Sequence, residues 1–327
     1  MRTAGRVILG FALAAVAVWW SLALAFRLAL PAPWPTVAAL GWATLAASVL
    51  LAVRPFWRAG AILLVGLAGL GLWWSGIRPS NDRDWAPEYA HVAWGELDGD
   101  RLVLHNVRNF DYQSETAFVP RWETRTYDLG EITGVDLFLS YWGSPAIAHT
   151  IMSWQFATGP PLAISIETRR ERHETYSAVR GFFRQFEIFY VAADERDVIR
   201  LRTNYRNEDV YLYRLAVEPA TARALLLDYL RTMNALRERP AWYNAFSQNC
   251  TTAIRTHAIA IGGMRRPDWR LLATGYVDRM LYERGRLNTA LPFERVKAAG
   301  HINARARVSD HDTIFSVRIR EGIPPGR

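Results

Sequence analysis

Cysteine occurs once in 327 residues, as Cys250 within YNAFSQNCTTAIRTH. A thiol attacks carbon as the thiolate, and a helix start or a neighbouring cation lowers its pKa enough to form one. Ser247 or Asn249 can cap a helix here, Ala253, Ile254, Ala258 and Ile261 give it an apolar face, and Gly262–Gly263 stops it. Cys250 then falls in the first turn, where unpaired N–H groups and the positive dipole end stabilise a thiolate. The same N–H groups, with Asn249 and Thr251 beside them, could hold a developing oxyanion. The plain alternative is a buried, inert cysteine.

A thiolate mechanism needs a base. His257 lies seven residues along the same expected helix, about 10.5 Å away at 1.5 Å per residue, and reads as a packing or surface histidine. The better candidate is His149, in SPAIAHTIMSWQFATGPPLAISIETR. Two period-2 segments there flank the turn ATGPP. His149, Ile151, Ser153 and Gln155 share one strand face, and Ala163, Ser165, Glu167 and Arg169 share a face of the next. With Phe156 paired near Leu162, the faces coincide, Glu167 stands opposite Ile151 and diagonal to His149, and Ser153 and Ser165 line the same cleft. Glu167 could then fix the imidazole tautomer, as the third group of a Cys–His site does. Ordinary polar residues on an exposed strand are the alternative.

These residues must be positioned by elements that the rest of the chain supplies. Alternating apolar residues around a DGD turn in HVAWGELDGDRLVLHNVRNFDY predict a hairpin. Further strands are expected at 132–139, 147–156, 162–168, 186–192 and 210–217. Pro219 opens and Pro240 stops a 3.6-period helix with Leu225, Leu226, Tyr229, Leu230 and Met233 on one face. The fold class is therefore α+β.

Residues 1–77 are different in kind. Uncharged runs at 7–26, 36–53 and 59–77 are each long enough to span a bilayer core of about 30 Å. Trp19, Trp20, Trp34, Trp57, Trp73 and Trp74 sit near their ends, as interfacial aromatics do. A cleaved signal peptide would explain the first run but not the other two. Arg2 and Arg6 precede the first span and Arg54 and Arg58 join the second to the third, so the N-terminus is expected in the cytoplasm. Three spans then deliver residues 78–327 to the outer side, which in a bacterium is the periplasm at the inner membrane. That compartment favours disulfides, for which a lone cysteine has no partner.

The charge of +8 does not indicate nucleic acid: 1–77 hold five Arg and no acid, leaving 34 basic against 31 acidic groups in the remainder. Lys297 is the only lysine, which leaves little room for a lysine nucleophile. The His and acid spacings match no metal pattern, and neither metal nor cofactor is expected.

Taken together, PSNDRDW, NVRNFDY, IAHTIMSWQF, ISIETR, VAADERDVIRLRTNYRNEDVYLY and WYNAFSQNCTT resemble the Lnb N-terminal periplasmic domain family over about 79–320. The resemblance implies a permuted papain-like cysteine-hydrolase domain of the NlpC superfamily, in which a strand His precedes a helix-start NC. It places the family's His and Cys on His149 and Cys250. The activity it implies is acyl transfer from a phospholipid donor through a cysteine thioester to an amine, such as a lipoprotein N-terminus. A cysteine peptidase or amidase acting on cell-wall peptide is the rival within catalysis, and a non-enzymatic envelope binding module the rival outside it. Within the matching blocks, Arg83 and Trp85 follow the last span, where an arginine could meet a lipid phosphate or hold the junction through an acid pair. Arg108, Asn109 and Tyr112 could line the cleft. The alternating charges of residues 194–206 are expected to form salt-bridged structure.

Overall fold

The computed structural model describes residues 2–244, 250–263 and 268–326. The chain forms two units, one of residues 1–80 with 176–186 and the other of 81–175 with 187–327.

The first unit holds α1 (Arg2–Arg27), α2 (Trp34–Ala52) and α3 (Phe56–Gly76). Each contains a stretch long and apolar enough to cross a membrane: Val7–Arg27, Trp34–Ala52 and Phe56–Gly76. At 1.5 Å per residue these are about 28–32 Å long, the thickness of a hydrocarbon core. Pro33 and Pro55, which lack a backbone donor, stand at the starts of α2 and α3. Small side chains let the helices approach: Ala17, Ala46 and Ala59 are buried among Val49 and Leu63.

The second unit is a mixed α+β domain. Its strands are β1 (Trp94–Asp98), β2 (Arg101–Arg108), β3 (Asp111–Tyr112), β4 (Phe118–Val119), β5 (Trp122–Asp128), β6 (Ile132–Tyr141), β7 (Ala148–Phe156), β8 (Leu162–Arg169), β9 (Glu187–Ala193) and β10 (Asp209–Arg214). Its helices are α4 (Glu195–Arg200), α5 (Pro219–Glu238), α6 (Cys250–Ala260), α7 (Val277–Glu283), α8 (Phe293–Gly300), α9 (Asn303–Val308) and α10 (Phe315–Arg318). The main sheet runs β1-β2-β9-β8-β7-β6-β10, with β5 also on β2. The DGD turn closes the β1–β2 hairpin with Asp98 opposite Arg101, and Gly99 takes φ +60 there.

Both sheet faces are covered. On one, Leu137, Met152, Trp154, Ile164 and Tyr190 pack under α5, α6 and α7 through Leu226, Tyr229, Ala253 and Met280. On the other, Phe138, Ile151, Ala163, Phe189 and Val191 pack under α4, α9 and α10 through Val198, Ile199, Ala306 and Phe315. That second cover was not anticipated. The helices after residue 277 have four to eight residues, too few turns for a 3.6-residue period to stand out. The charged stretch 194–206 is α4, capped by the Asp194 side chain, followed by a π-helical turn at Leu201–Tyr205.

Candidate functional site

The β7–β8 hairpin brings the expected strand residues together, in a register two residues away from the expected one. Trp154, not Phe156, stands opposite Leu162, and Ile151 stands opposite Ser165. Phe156 instead pairs with Ile132 of β6 and stacks on Tyr127 with ring centroids 4.9 Å apart, so β7 outruns β8 at this end. A two-residue shift preserves the face of every side chain, because the strand period is two. It moves Glu167 from a diagonal position to the level of His149.

The result is a hydrogen-bonded chain. His149 Nε2 lies 2.7 Å from Ser165 Oγ, and Ser165 Oγ donates to Glu167 Oε1 at 2.8 Å. Arg202, from the π-helical turn, donates to the same carboxylate oxygen at 3.1 Å. Burial alone would raise the Glu167 carboxyl, but Arg202, His149, Arg108 and the Ser165 hydrogen bond together hold it well below the usual carboxylate range. The carboxylate is therefore ionised and only accepts. Since it takes the single hydroxyl proton of Ser165, Ser165 must accept from His149, which puts the imidazole proton on Nε2. Nδ1 is left as the basic nitrogen, and it makes no hydrogen bond among the described residues. Burial, joined by Arg202 and Arg206 and opposed by Glu167, pushes His149 down to about 3, so the ring is neutral at ordinary pH. Glu167 thus acts on His149 through Ser165; their direct separation is 3.8 Å.

The thiol side of the expected site is reached from the other face. Thr150, next to His149 and so pointing oppositely, lies with its Oγ1 3.2 Å from Thr251 Oγ1. α6, which begins at Cys250, therefore packs on the sheet face away from His149. The Cys250 side chain and Asn249 lie outside the described residues, while Thr251 is buried. His257 on α6 is also buried, its Nδ1 2.7 Å from Asp228 and its Nε2 2.8 Å from the Tyr190 hydroxyl. With both nitrogens engaged, it is held as a packing histidine. α6 ends where the glycine pair was read: Gly262 has φ +84, and Gly263 N–H bonds Ala258 O at 2.7 Å.

Beside α6 the domain encloses a cavity of about 410 Å³. Leu137 and Met152 of the sheet, Leu225 of α5, Ile254 of α6 and Met280 of α7 make it mainly apolar, and Thr150 of β7 and Thr251 of the first turn of α6 reach it. Arg255, Arg284 and Arg286 also line it. Its volume lies within the range of small-ligand sites, roughly 300–1,000 Å³. Sequence reasoning did not find it, because its walls come from five separated segments; the apolar faces of α5 and α6 were its only local signal.

The remaining expected residues are engaged in the framework. Ser153 donates to the buried Glu195 at 2.5 Å, on the face of His149. Arg108 is buried in a bidentate pair with Asp197, and Asn109 donates to Glu123 at 2.8 Å. Tyr112, buried, lines a small polar pocket with Arg108, Glu167, Arg202 and Arg206. Arg83 pairs with Glu171 at 3.2 Å and Glu187 at 3.1 Å. Trp85 is 6% exposed, its indole N–H on Asn81 O and its ring under the Arg169 guanidinium at 4.1 Å. Among the described residues no group of three or more His, Cys, Asp or Glu could hold a metal ion.

Residues 118–275 match the family model described as the Lnb N-terminal periplasmic domain, a range that contains His149, Glu167 and Cys250 and is narrower than the resemblance read from the sequence. No curated protein and no solved structure matches the chain.

Proposed function

From a membrane protein that carries an Lnb N-terminal periplasmic domain, we propose an envelope acyltransferase that receives a lipid acyl chain in the α6 cavity and carries it on Cys250. The permuted papain-like relation of sheet and α6, the bacterial inner membrane and a cytoplasmic N-terminus belong to the same reading. The observation that carries it is the cavity itself: apolar walls, three arginines, of which Arg284 also pairs with Asp268, and a lining that includes Thr251 in the first turn of the helix that begins with the only cysteine. Apolar walls suit a hydrocarbon chain, and arginines suit the phosphate of the phospholipid that brings it.

In the first half-reaction the Cys250 thiol loses its proton and the thiolate attacks the ester carbonyl of the donor. A C–S bond forms, the ester C–O bond breaks, and lysophospholipid leaves with the proton. In the second, an amine such as a lipoprotein N-terminus attacks the thioester. The C–N bond forms, the C–S bond breaks, and the amine's surplus proton returns to sulfur. The start of α6 stabilises both the thiolate and the oxyanion. In this reading Nδ1 of His149, oriented by Ser165 and Glu167, takes the thiol proton, which requires the thiol to come round the start of β7 to the His149 face.

The test is intact mass of the purified full chain after incubation with a phospholipid of known acyl length. The wild type should gain the mass of one acyl group, releasable by hydroxylamine, and Cys250→Ala should gain none. An adduct that persists in Cys250→Ala removes Cys250 from the mechanism.

One observation favours a second reading. α6 packs on the sheet face opposite His149, which suits a lipid-binding envelope module whose thiol is chemically inert. In that case a small alkylating reagent labels Cys250 slowly at neutral pH, and phospholipid binds without hydrolysis or adduct. A cysteine peptidase or amidase acting on cell-wall peptide is favoured less by a mainly apolar cavity.

A further inference from the structure

The segment between β8 and β9 contains YSAVRGFFRQF, residues 176–186, and belongs with the membrane helices, not with the domain whose strands it joins. Two sets of contacts hold it there. Arg184 donates to the carbonyl of Trp74 at 2.7 Å, at the C-terminal end of α3, with its guanidinium 4.7 Å from the Trp74 ring. A cation on the last carbonyls of a helix is favoured by their partial negative charge. Phe183 packs on Trp19 and Phe26 of α1 with centroids 5.6 and 5.4 Å away, and Arg180 stacks over Phe26 at 5.7 Å.

These contacts fix a level relative to the bilayer. Trp19 and Trp74 touch with ring centroids 5.2 Å apart, so they mark one depth, and Trp74 is two residues from the end of α3. α1 runs eight residues beyond Trp19, to Arg27, a rise of about 12 Å. A span ending near Trp74 thus leaves the last turns of α1 crossing the headgroup layer, which is about 5–8 Å deep on each side, and emerging from it. Residues 176–186 wrap that emergent end. Although they hide Phe183 and Phe186, they leave Tyr176, Val179 and Phe182 45%, 52% and 43% exposed. Three exposed apolar side chains in seven residues would be a liability in water at this position. Arg180 has no carboxylate partner among the described residues.

We propose that residues 176–186 are an interfacial anchor lying in the headgroup layer of the phospholipid bilayer, with Val179 and Phe182 directed at acyl chains and Arg180 at lipid phosphate. The occupant is the lipid surface because the patch is continuous with helices that already require one. Tryptophan, tyrosine and arginine are the residues that such a layer favours.

The single cysteine makes the test clean. In the full-length Cys250→Ser chain, Phe182→Cys and, separately, Val179→Cys are labelled with an environment-sensitive fluorophore. Val308→Cys, at a 90% exposed apolar site of the other unit, is the reference. Each is reconstituted in phosphatidylethanolamine–phosphatidylglycerol vesicles with or without lipids bearing a nitroxide near the headgroup. Probes at 179 and 182 should emit at shorter wavelength than the reference and be quenched about two-fold or more strongly by the nitroxide lipids. Emission and quenching equal to those at position 308, for both variants, overturn the proposal and would point to a protein partner or to solvent. Because Cys250 is replaced throughout, neither outcome depends on the acyl-transfer reading.

Discussion

At the scale of single residues, the consequential feature is a neutral imidazole whose proton is fixed by a relay. His149 is part-buried among arginines, and the ionised Glu167 reaches it through one hydroxyl. This makes stability depend on pH with a definite sign. The folded pKa, about 3, lies below the ordinary 6.5, so the unfolded chain binds this proton first as pH falls. The contribution of His149 is full above 6.5 and declines as pH drops toward 3. Between pH 7 and 5 the loss amounts to about 2 kcal/mol. Urea unfolding of the full chain in detergent should show that decline, and His149→Gln should remove about that much of it. A slope unchanged in His149→Gln would mean that the ring is solvated and charged. Ser165→Ala separates positioning from bulk: it breaks the relay but leaves Glu167 on Arg202. Under the acyl-transfer reading it should lower the rate of adduct formation about 10-fold or more and shift its pH profile, with donor affinity unchanged.

At the scale of elements, what could be read from the sequence followed periodicity, and what could not followed tertiary competition. The β1–β2 turn, the strands carrying His149 and Glu167, and α5 and α6 with their Pro and Gly stops all announce themselves locally. The β7–β8 register does not. The turn ATGPP permits both pairings, and β7 goes on pairing with β6 through Phe156, past the point where β8 begins opposite Trp154. Nor could the sequence tell which sheet face α6 covers, because Thr150 and His149 each end a polar-tolerant position on opposite faces. The start of β7 is fixed by a distant segment: Thr274 Oγ1 accepts from Ala148 N–H at 2.8 Å and donates to Ala148 O at 2.7 Å. Gly275 next to it allows this approach, since a Cβ there would lie 2.1 Å from Pro145 O. Gly275→Ala should therefore displace the segment that sets His149, costing about 2 kcal/mol or more in unfolding free energy. Gly159, whose φ is +84 in open space, tests a different cost: Gly159→Ala strains only the backbone, by about 1 kcal/mol. Equal losses for the two variants would show that close approach is not what Gly275 provides.

At the scale of the whole molecule, 38 of the 39 basic residues are arginine, and several of them serve the structure. Arg108 with Asp197, Arg202 with Glu167, and Arg320 with Asp136 and Glu195 are buried pairs that tie surface helices to the sheet. Arg320 is the sharpest case. It follows α10, near the end of the described chain, and donates to Glu195 at 2.6 and 2.7 Å and to Asp136 at 2.9 Å, both carboxylates being almost inaccessible. Removing one member of such a cluster leaves buried charge uncompensated, at a cost of about 3–5 kcal/mol, although the intact cluster contributes little net stability. In Arg320→Ala the cation left beside these carboxylates among the described residues is more distant, Arg214 lying 3.9 Å from Asp136. Burial then raises both carboxyls above their unfolded values, so the folded state takes up protons that the unfolded state does not. Stability lost at pH 8 should return as pH falls through those raised values. The variant should therefore approach the wild type near pH 5 in urea unfolding, opposite in sign to the His149 effect. Glu195→Gln combined with Arg320→Met should recover part of the loss at pH 8, because one buried charge leaves with its partner. A pH-independent loss in Arg320→Ala would mean that water enters and solvates the carboxylates, and that α10 is held by Phe315 and Ile319 alone.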